Sequence, residues 1–319
     1  MPILSKTTMY DCNMTSYANK NTGSKVCLTS PTWRNTLASM ALFGVLVGIM
    51  VIGSAGSVQA QDLSDNDNPE VQRVEPFQVF DNLYYVGARW VASWLLVTNE
   101  GLIVFDALYG DLTDLVIDNI RELGFDPNDI RYLIGTHAHY DHIGGARRFQ
   151  QEFGTVVMMT EEDWQMTEQP PVYREYPTPI RHLSASNGST LNLGRTQMRF
   201  MTTPGHTPGV LSTLFTVYDD GFPHNAFMFG GVGLNFDGVE RTELYIDSVE
   251  RIQQLEGIEV NIPNHPSSGD VFARYEALQE REEGDPHPFI DPQGFSAWLD
   301  TLLANAQAKL EEERAAAGQ

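Results

Sequence analysis

The amino-acid sequence predicts an α/β fold, an αββα sandwich in which two mixed β-sheets pack face to face and helices cover their outer faces. Two observations lead to this prediction. Short runs of apolar, β-branched and aromatic residues precede stretches of helical periodicity, and this order occurs twice along the chain. In each half, a loop that contains histidine follows a predicted strand. Such a repeated order is typical of two layers of sheet between two layers of helix.

The first half of the fold begins near Phe77 and contains six predicted strands and two predicted helices. The strands are short, apolar and bounded by turn residues such as Asp81-Asn82 and Asn99-Glu100-Gly101. The predicted strands cover residues 78–80, 83–86, 91–98, 102–106, 130–135 and 155–159. The predicted helices cover residues 112–123, where Gly124 is a C-cap signal, and 146–153.

The second half contains five predicted strands and three predicted helices. The strands cover residues 190–193, 197–201, 210–217, 226–231 and 258–263. The helices cover residues 242–255, 271–282 and 295–313. Between the halves, residues 161–181 are acidic, rich in proline and without periodicity. A long irregular insertion of this kind is often a lid over a site, and a simple excursion over the surface is an equal alternative.

The first 60 residues are typical of a secretory leader. Basic residues precede residue 35, no charged residue occurs from 35 to 60, and Val58-Gln59-Ala60 has the small-x-small form of a cleavage site. We therefore expect residues 1–60 to be a signal peptide that is cleaved after Ala60, which would place the protein in the periplasm or outside the cell. The uncharged run is also long enough to span a bilayer, so an uncleaved anchor is the alternative.

The rest of the chain divides into a polar, flexible arm at 61–76, one folded domain at 77–314 and a fraying tail at 315–319. The chain carries 20 Lys+Arg and 42 Asp+Glu, a formal net charge of −22. This acidity argues against nucleic acid and anionic membrane surfaces as partners, and we interpret it as a contribution to solubility. The expected partner is a small-molecule substrate. Both cysteines, Cys12 and Cys27, lie in the leader, so the folded domain has no disulfide and no thiolate metal ligand.

Three histidines and one aspartate lie within six residues on the loop between strand 130–135 and helix 146–153. His137 and His139 alternate in an extended chain and can point the same way, whereas Asp141 and His142 turn toward a neighbouring point. One metal ion cannot comfortably take all four side chains, but two adjacent zinc ions can. The spacing therefore predicts a metal cluster in preference to a solvated loop.

Two further histidines each follow a predicted strand. His206 lies in the tight loop Pro204-Gly205-His206-Thr207-Pro208-Gly209, and His265 follows Pro263-Asn264. Each would be typical of an ordinary loop if it stood alone, but beside the cluster they complete two sites of three ligands. The remaining histidines of the folded domain lack such settings, and we interpret them as structural or solvated; they are His182, His224 and His287.

These motifs resemble the metallo-β-lactamase superfamily, and the resemblance extends from about Phe77 to the last helix. It implies that His137, His139 and His206 hold one zinc ion; we call these residues the first set. It implies that Asp141, His142 and His265 hold a second zinc ion; we call these the second set. The implied activity is hydrolysis of a strained amide or ester by a metal-bound hydroxide, which Asp141 orients while it ligates.

The position of Gly231 separates branches of this superfamily. Many of its hydrolases, acyl-homoserine lactonases included, carry an Asp there that bridges both metals, and the first two β-lactamase subclasses use a Cys ligand nearby. The third subclass uses neither and fills its second site with Asp, His and His, as in this chain. The closest resemblance is therefore to the third subclass, although 231–234 lacks the small polar residues that hold substrate carboxylate there.

The leading interpretation is an exported enzyme with two zinc ions that opens the β-lactam ring of antibiotics. One alternative is a zinc hydrolase of the same fold that acts on lactones or other esters, because a fold does not set its substrate. The other is a non-catalytic periplasmic zinc-binding protein. A protein of that last kind would be expected to have lost a ligand, and none of the six is lost.

Residues outside the two sets also have candidate roles. Asp106 ends an apolar strand and is a candidate acceptor for a hydrogen bond from a ligand histidine, with a capping or turn role as an equal alternative. Trp90, Trp94 and Trp164 are candidates for the wall of the pocket, and core packing is the expected role for most of them.

Overall fold

A computed structural model describes residues 65–169 and 176–318 of the chain. The predicted leader, residues 1–60, lies outside the described residues, as does part of the insertion at 161–181. Within the described residues no helix is both long and apolar enough to cross a membrane. The predicted fold class is confirmed, because two mixed β-sheets pack between layers of helices.

The first sheet has seven strands that lie side by side in chain order. The pairings among the first four strands are antiparallel and the pairings among the last four are parallel. The strands are β1 Phe77–Phe80, β2 Leu83–Tyr85, β3 Trp94–Thr98, β4 Gly101–Phe105, β5 Ile130–Ile134, β6 Val156–Thr160 and β7 Leu183–Ala185. Parallel neighbours require crossover connections, and helices in this half supply them.

The second sheet has five strands in the order β12-β11-β10-β9-β8. All of its pairings are antiparallel except the one between β11 and β12. Its strands are β8 Thr190–Leu193, β9 Thr196–Thr202, β10 Leu211–Asp219, β11 Phe222–Met228 and β12 Val260–Asn261. The α-helices of the described chain are α1 Pro69–Gln72, α2 Leu112–Glu122, α3 Tyr140–Ile143, α4 Ala146–Phe153, α5 Glu161–Thr167, α6 Val239–Gln253, α7 Val271–Gln279 and α8 Pro292–Ala317.

Three apolar cores follow from the alternation of side chains along the strands. Trp94 and Leu96 of β3 point into the core between the sheets, where they pack with Phe215 of β10. Leu95 points the other way and packs in a core with the inner faces of α2 and α4. Full burial of one such side chain stabilises the fold by about 1.5–3 kcal/mol.

The third core lies on the outer side of the second sheet. Phe227 of β11 packs there with Val249 of α6 and Leu299 of α8. Its neighbours Ala226 and Met228 belong to the core between the sheets. The layers are therefore helix, sheet, sheet and helix, and the loops at one edge of both sheets carry the histidines.

Residues 65–76, within the predicted flexible arm, differ from the expectation. They form a 3₁₀ turn at Asp65–Asp67 and then α1, whose N-cap Asn68 accepts a hydrogen bond from the Glu70 N–H. The Gln72 side chain is buried, donates to the Asp65 carbonyl over 3.0 Å and accepts from the Trp90 N–H over 2.8 Å. The polar composition of residues 65–76 does not predict this ordered structure, because the structure depends on contacts with Trp90, a residue outside the segment.

The insertion at 161–181 also begins with regular structure where the sequence predicted none. Thr160 caps α5 by accepting a hydrogen bond from the Asp163 N–H, and the acidic first turn suits a helix N-terminus. Conversely, the predicted strand 258–263 shrinks to the two residues of β12, because only Val260 and Asn261 pair with β11. The last helix is longer than predicted and continues to Ala317 before the Gly318 C-cap, so the predicted tail is largely helical.

Candidate metal centre

Three loops bring the six residues of the two sets together at one cavity of about 990 Å³, which all of them line except the fully buried His142. The first loop follows β5, crosses Gly135 and enters α3, which holds Asp141 and His142. Gly135 allows a close approach there, since a Cβ at this position would lie 2.8 Å from side-chain atoms of Ile143 and Met159. The other two loops follow β9 and β12 and carry His206 and His265.

The first set converges on one point. The His206 Nε2 lies 3.1 Å from the His137 Nε2 and 3.0 Å from the His139 Nδ1, and those two nitrogens are 3.1 Å apart. Three ring nitrogens with protons between them could not all point at one another, so this arrangement is suited to a cation. Tetrahedral zinc, with bonds of 2.0–2.1 Å, places two nitrogen ligands about 3.3 Å apart. The donor set therefore fits zinc.

The second set converges on an adjacent point. The His142 Nε2 lies 3.2 Å from the His265 Nε2 and 3.3 Å from the Asp141 Oδ2, and the His265 Nε2 lies 3.6 Å from the same carboxylate oxygen. One ligand atom each of His137, Asp141 and His142 lie within 4.8 Å of one another, so the two sets adjoin. Two imidazoles and a carboxylate are also zinc ligands.

Hydrogen bonds on the far side of the rings fix their orientation. The His137 Nδ1 donates to the Gly230 carbonyl over 2.7 Å, and the His206 Nδ1 donates to the Gly233 carbonyl over 2.7 Å. The His265 Nδ1 donates to the Trp90 carbonyl over 2.8 Å. A proton held at Nδ1 leaves the Nε2 lone pair of each ring directed at the centre.

Asp106 fixes the orientation of the His142 ring in the same way. Its Oδ2 accepts from the His142 Nδ1 over 2.7 Å, and its two oxygens also accept from the N–H and hydroxyl of Thr136 over 2.8 and 2.9 Å. The predicted acceptor role of Asp106 is confirmed. Asp106 has φ of 60°, a left-handed conformation that Asp adopts more readily than most residues.

Burial sets the protonation of the first set. It lowers the pKa of His137 well below the usual range, that of His139 to about 4 and that of His206 to about 3, with the neighbouring rings adding to the effect at His137 and His206. Neutral imidazole is the form that binds a metal. The first set therefore presents three uncharged nitrogen donors at neutral pH.

Carboxylates set the protonation of the second set. Burial lowers the pKa of His142, but the charges of Asp141 and Asp106 outweigh it and raise that pKa to about 10. Burial raises the pKa of Asp141, but His142 and the other nearby imidazoles outweigh it and hold that pKa far below its usual range. At His265, burial outweighs the same carboxylates and lowers the pKa, so the two histidines of the second set are shifted in opposite directions.

Two other predictions can be settled. Of the three tryptophans, Trp90 lines the cavity, whereas Trp94 and Trp164 are buried in the cores. Among the histidines outside the two sets, His287 is buried, and His182 is exposed. The His287 Nε2 donates to the Val79 carbonyl over 2.9 Å, and its Nδ1 accepts from the Phe289 N–H over 3.2 Å. These positions agree with the structural or solvated roles expected for them.

Sequence reasoning missed a buried carboxylate beside the centre. Asp163 is 0% exposed, and its oxygens accept hydrogen bonds from both loops of the first set. Burial raises the pKa of Asp163 to about 6, against hydrogen bonds that lower it. The spacing Thr160-x-x-Asp163 is typical of the start of a helix, but it does not indicate contacts with the two loops.

Comparison with known proteins finds similarity to the metallo-beta-lactamase superfamily and to several hydrolases. A model of the metallo-beta-lactamase superfamily matches residues 86–219, which include all members of the two sets except His265. Among curated proteins, an N-acyl homoserine lactonase of a Bacillus species is 25% identical over 179 residues, which span 50% of this chain and 66% of the lactonase. The probable metallo-hydrolase YqgX of Bacillus subtilis is 25% identical over 229 residues, which span 66% of this chain and 96% of that protein.

Solved structures give a closer match in shape. BJP-1, a subclass B3 metallo-beta-lactamase of Bradyrhizobium japonicum, is 28% identical with a TM-score of 0.70, and the match covers 77% of this chain and 97% of that one. MEM-A1, a subclass B3 metallo-beta-lactamase from a soil metagenome library, is 26% identical with a TM-score of 0.68. That match covers 76% of this chain and 98% of MEM-A1.

Proposed function

We propose that the chain, which matches the metallo-beta-lactamase superfamily over residues 86–219 and resembles subclass B3 enzymes in structure, is a zinc-dependent β-lactamase like the third subclass. One observation carries the choice of β-lactam as substrate. Gly231 packs beside His206, and a Cβ there would lie 2.8 Å from the His206 Cβ and 2.7 Å from the Val210 Cγ2. A bridging aspartate of the lactonase kind could not be placed at this position without local rearrangement.

In this proposal the first set holds one zinc ion and the second set holds another. The chemistry that zinc supplies at such a site is activation of water near neutral pH and polarisation of a carbonyl group. Asp141 is 8% exposed, and the nearby imidazoles hold its pKa far below the usual range, so its carboxylate would accept a hydrogen bond from water and orient it. Its low pKa means that it positions the nucleophile without serving as the general acid.

The rest of the cavity provides for substrate. Trp90, Tyr176 and Val232 offer apolar contact for the body of a small molecule, and the Asn235 side-chain amide is a hydrogen-bond donor for its carboxylate. The Ser268 hydroxyl already donates to the His265 carbonyl over 2.8 Å. Arg241 is not among the residues that line the cavity, and its guanidinium donates to the carbonyls of Gly205 and His206. We therefore expect a raised KM for anionic β-lactams, with a smaller effect on kcat, since this contact forms in both ground and transition states.

The second candidate is hydrolysis of lactones by the same zinc centre. It is favoured by the sequence match to an N-acyl homoserine lactonase. Both reactions need the same attack on a cyclic carbonyl, so the two sets alone do not separate them. The two substrates differ in that a β-lactam antibiotic carries a carboxylate that needs a hydrogen-bond donor in the cavity, whereas a lactone needs no such donor.

The test is a hydrolysis panel with purified protein. It contains a chromogenic cephalosporin, a penicillin, a carbapenem and an acyl-homoserine lactone, each with and without chelator and after zinc is restored. We expect β-lactam turnover that is lost with chelator and with His139→Ala, and that is kept in the matched control His182→Ala. Efficient opening of the lactone with no β-lactam turnover would replace the first candidate with the second.

We also propose that the protein is exported and that its leader is removed after Ala60. The support is the small-x-small sequence after an uncharged run. Amino-terminal sequencing of exported protein should begin at Gln61, after allowance for cyclisation of that residue. Intact chain in the membrane fraction would favour the anchor instead.

A further inference from the structure

The start of α5 lies against the two loops that carry the first set. Thr160, the last residue of β6 and the N-cap of α5, donates from its hydroxyl to the Gly209 carbonyl over 2.6 Å. Gly209 approaches so closely that a Cβ there would lie 2.1 Å from the Thr160 Oγ1 and 2.6 Å from the Asp163 Oδ1. The loop after β9 is therefore seated directly on the first turn of α5.

The Asp163 carboxylate joins this loop to the other one. Its Oδ2 accepts from the Ala138 N–H over 2.7 Å and from the Thr207 hydroxyl over 2.9 Å, and its Oδ1 accepts from the Gly209 N–H over 2.8 Å. Ala138 lies between His137 and His139, and Thr207 directly follows His206. A single buried carboxylate thus bonds to both backbone segments that bear the first set.

We propose that Asp163 is a positioning residue that holds the His137–His139 segment and the His206 loop at the separation that the first zinc ion requires. The inference rests on the proposed zinc centre. Asp163 is 0% exposed, and its three hydrogen bonds all go to Ala138, Thr207 and Gly209, none of which is a predicted ligand. It therefore acts through the loops and not on substrate.

The hydrogen-bond pattern explains why an amide cannot replace this carboxylate. The Ala138 and Gly209 N–H groups are fixed donors, and they bond to different oxygens of Asp163. In Asp163→Asn, either orientation of the amide places its NH₂ against one of these N–H groups. One buried donor then has no acceptor, and the loops must move apart to relieve the repulsion.

The second set provides an internal reference. Its histidines are oriented by Asp106 and by the Trp90 carbonyl, and neither of these bonds to Asp163. Loss of the Asp163 contacts should therefore affect the first zinc and spare the second. A general loss of stability would affect both.

The experiment compares Asp163→Asn with Asn119→Asp, a matched control. Asn119 is 2% exposed in α2, away from the six residues, and its amide joins two backbone segments by donating to the Val74 and Val86 carbonyls. Each variant is titrated with zinc against a chromophoric chelator, and the cobalt-loaded form is examined by absorption spectroscopy. Unfolding by denaturant gives the stability of each variant.

We expect Asp163→Asn to weaken the first zinc by about 10- to 100-fold, the range for outer partners of metal ligands, and to alter the cobalt d–d bands. The second site of Asp163→Asn should keep its wild-type affinity for zinc. Both sites of Asn119→Asp should do the same. Two unaltered sites in Asp163→Asn, or equal weakening of both sites in both variants, would overturn the proposal. Wild-type protein that binds no tight zinc would instead overturn the proposed metal centre on which it depends.

If Asp163→Asn does not fold, Thr207→Val decides the question. It removes one of the three donors, keeps the side-chain volume and leaves the carboxylate in place. First-site affinity should fall by about two- to tenfold, as for one lost hydrogen bond, with the second site unaltered. Wild-type affinity at the first site in this variant would overturn the proposal.

Discussion

The first and second sets lie side by side, yet they are held in different ways. Two rings of the first set bond to backbone carbonyls at Gly230 and Gly233, and the loops that bear the set are joined by Asp163. The second set instead relies on the carboxylate of Asp106 and on a carbonyl of the distant Trp90 loop. One carboxylate therefore joins the two loops of the first set, whereas each histidine of the second set is held by a separate partner.

The two sets also differ in charge. The first offers neutral nitrogens whose pKa values are lowered by burial, whereas the second places His142 between two carboxylates that raise its pKa to about 10. Imidazole and carboxylate ligands suit different divalent metals, so the two sets are expected to differ in metal preference.

The largest expected effect comes from breaking the first set. His206→Ala removes one of three converging nitrogens and should abolish tight binding of the first zinc. Loss of one metal costs several kcal/mol of transition-state stabilisation, which corresponds to about a thousandfold in kcat/KM. Zinc titration and steady-state hydrolysis of whichever substrate the panel identifies would measure it. Activity within tenfold of wild type would mean that the first set is not the catalytic centre.

His265→Ala tests the second set in the same way. His265 is the only member of its set outside the 137–142 loop, and its side chain is 27% exposed, so its loss should leave the first set in place. The variant should bind one zinc tightly and the other weakly or not at all. Equal weakening of both sites would show that the assignment of ligands to two sets is wrong.

Asp106→Asn should have an intermediate effect. The amide can still bond to Thr136 and suits the φ of 60°, but it removes the negative charge that faces the His142 Nδ1. We expect second-site zinc affinity to fall by about 10- to 100-fold with the first site little altered. Competition with a chelator separates the two affinities. A loss confined to the first site would contradict the comparison.

The sequence predicts the six residues of the two sets better than it predicts the residues that hold them in place. The ligands could be found because their side chains alternate or cluster within a few residues and lie at strand ends, where a sheet fold brings loops together. Asp106 could be named on the same grounds, since it ends β4 next to β5. Hydrophobic periodicity likewise predicted most strands and the long helices, because burial against a sheet leaves a regular pattern.

Residues that act across long separations could not be found in this way. Asp163 lies in an acidic, proline-rich stretch and is buried only because two other loops close over it. Gln72 lies in a segment whose composition predicts a flexible arm, and its order comes from bonds to Asp65 and Trp90. β12 is shorter than its apolar run, since strand length depends on the partner β11. Contacts of this kind leave no local pattern in the chain.

The smallest expected effect concerns the remote support of the second set. Gln72 accepts from the Trp90 N–H over 2.8 Å, and the Trp90 carbonyl accepts from the His265 Nδ1 over 2.8 Å. Gln72→Ala leaves the partly buried Trp90 N–H without its acceptor, so the free energy of unfolding should fall by about 1–3 kcal/mol. Second-site zinc affinity should fall by less than tenfold, because His265 keeps its carbonyl partner in a looser loop.

Gln78→Ala is the matched control for this prediction. Gln78 is exposed, and its amide donates only to the nearby Phe80 and Asp81 carbonyls, so stability should change by no more than about 0.5 kcal/mol. Denaturant unfolding and zinc competition on both variants give the two quantities. If Gln72→Ala lowers stability and leaves both zinc affinities at the wild-type value, α1 stabilises the fold without supporting His265. If the first site weakens instead, the two sets are coupled through the Trp90 loop and do not have separate supports.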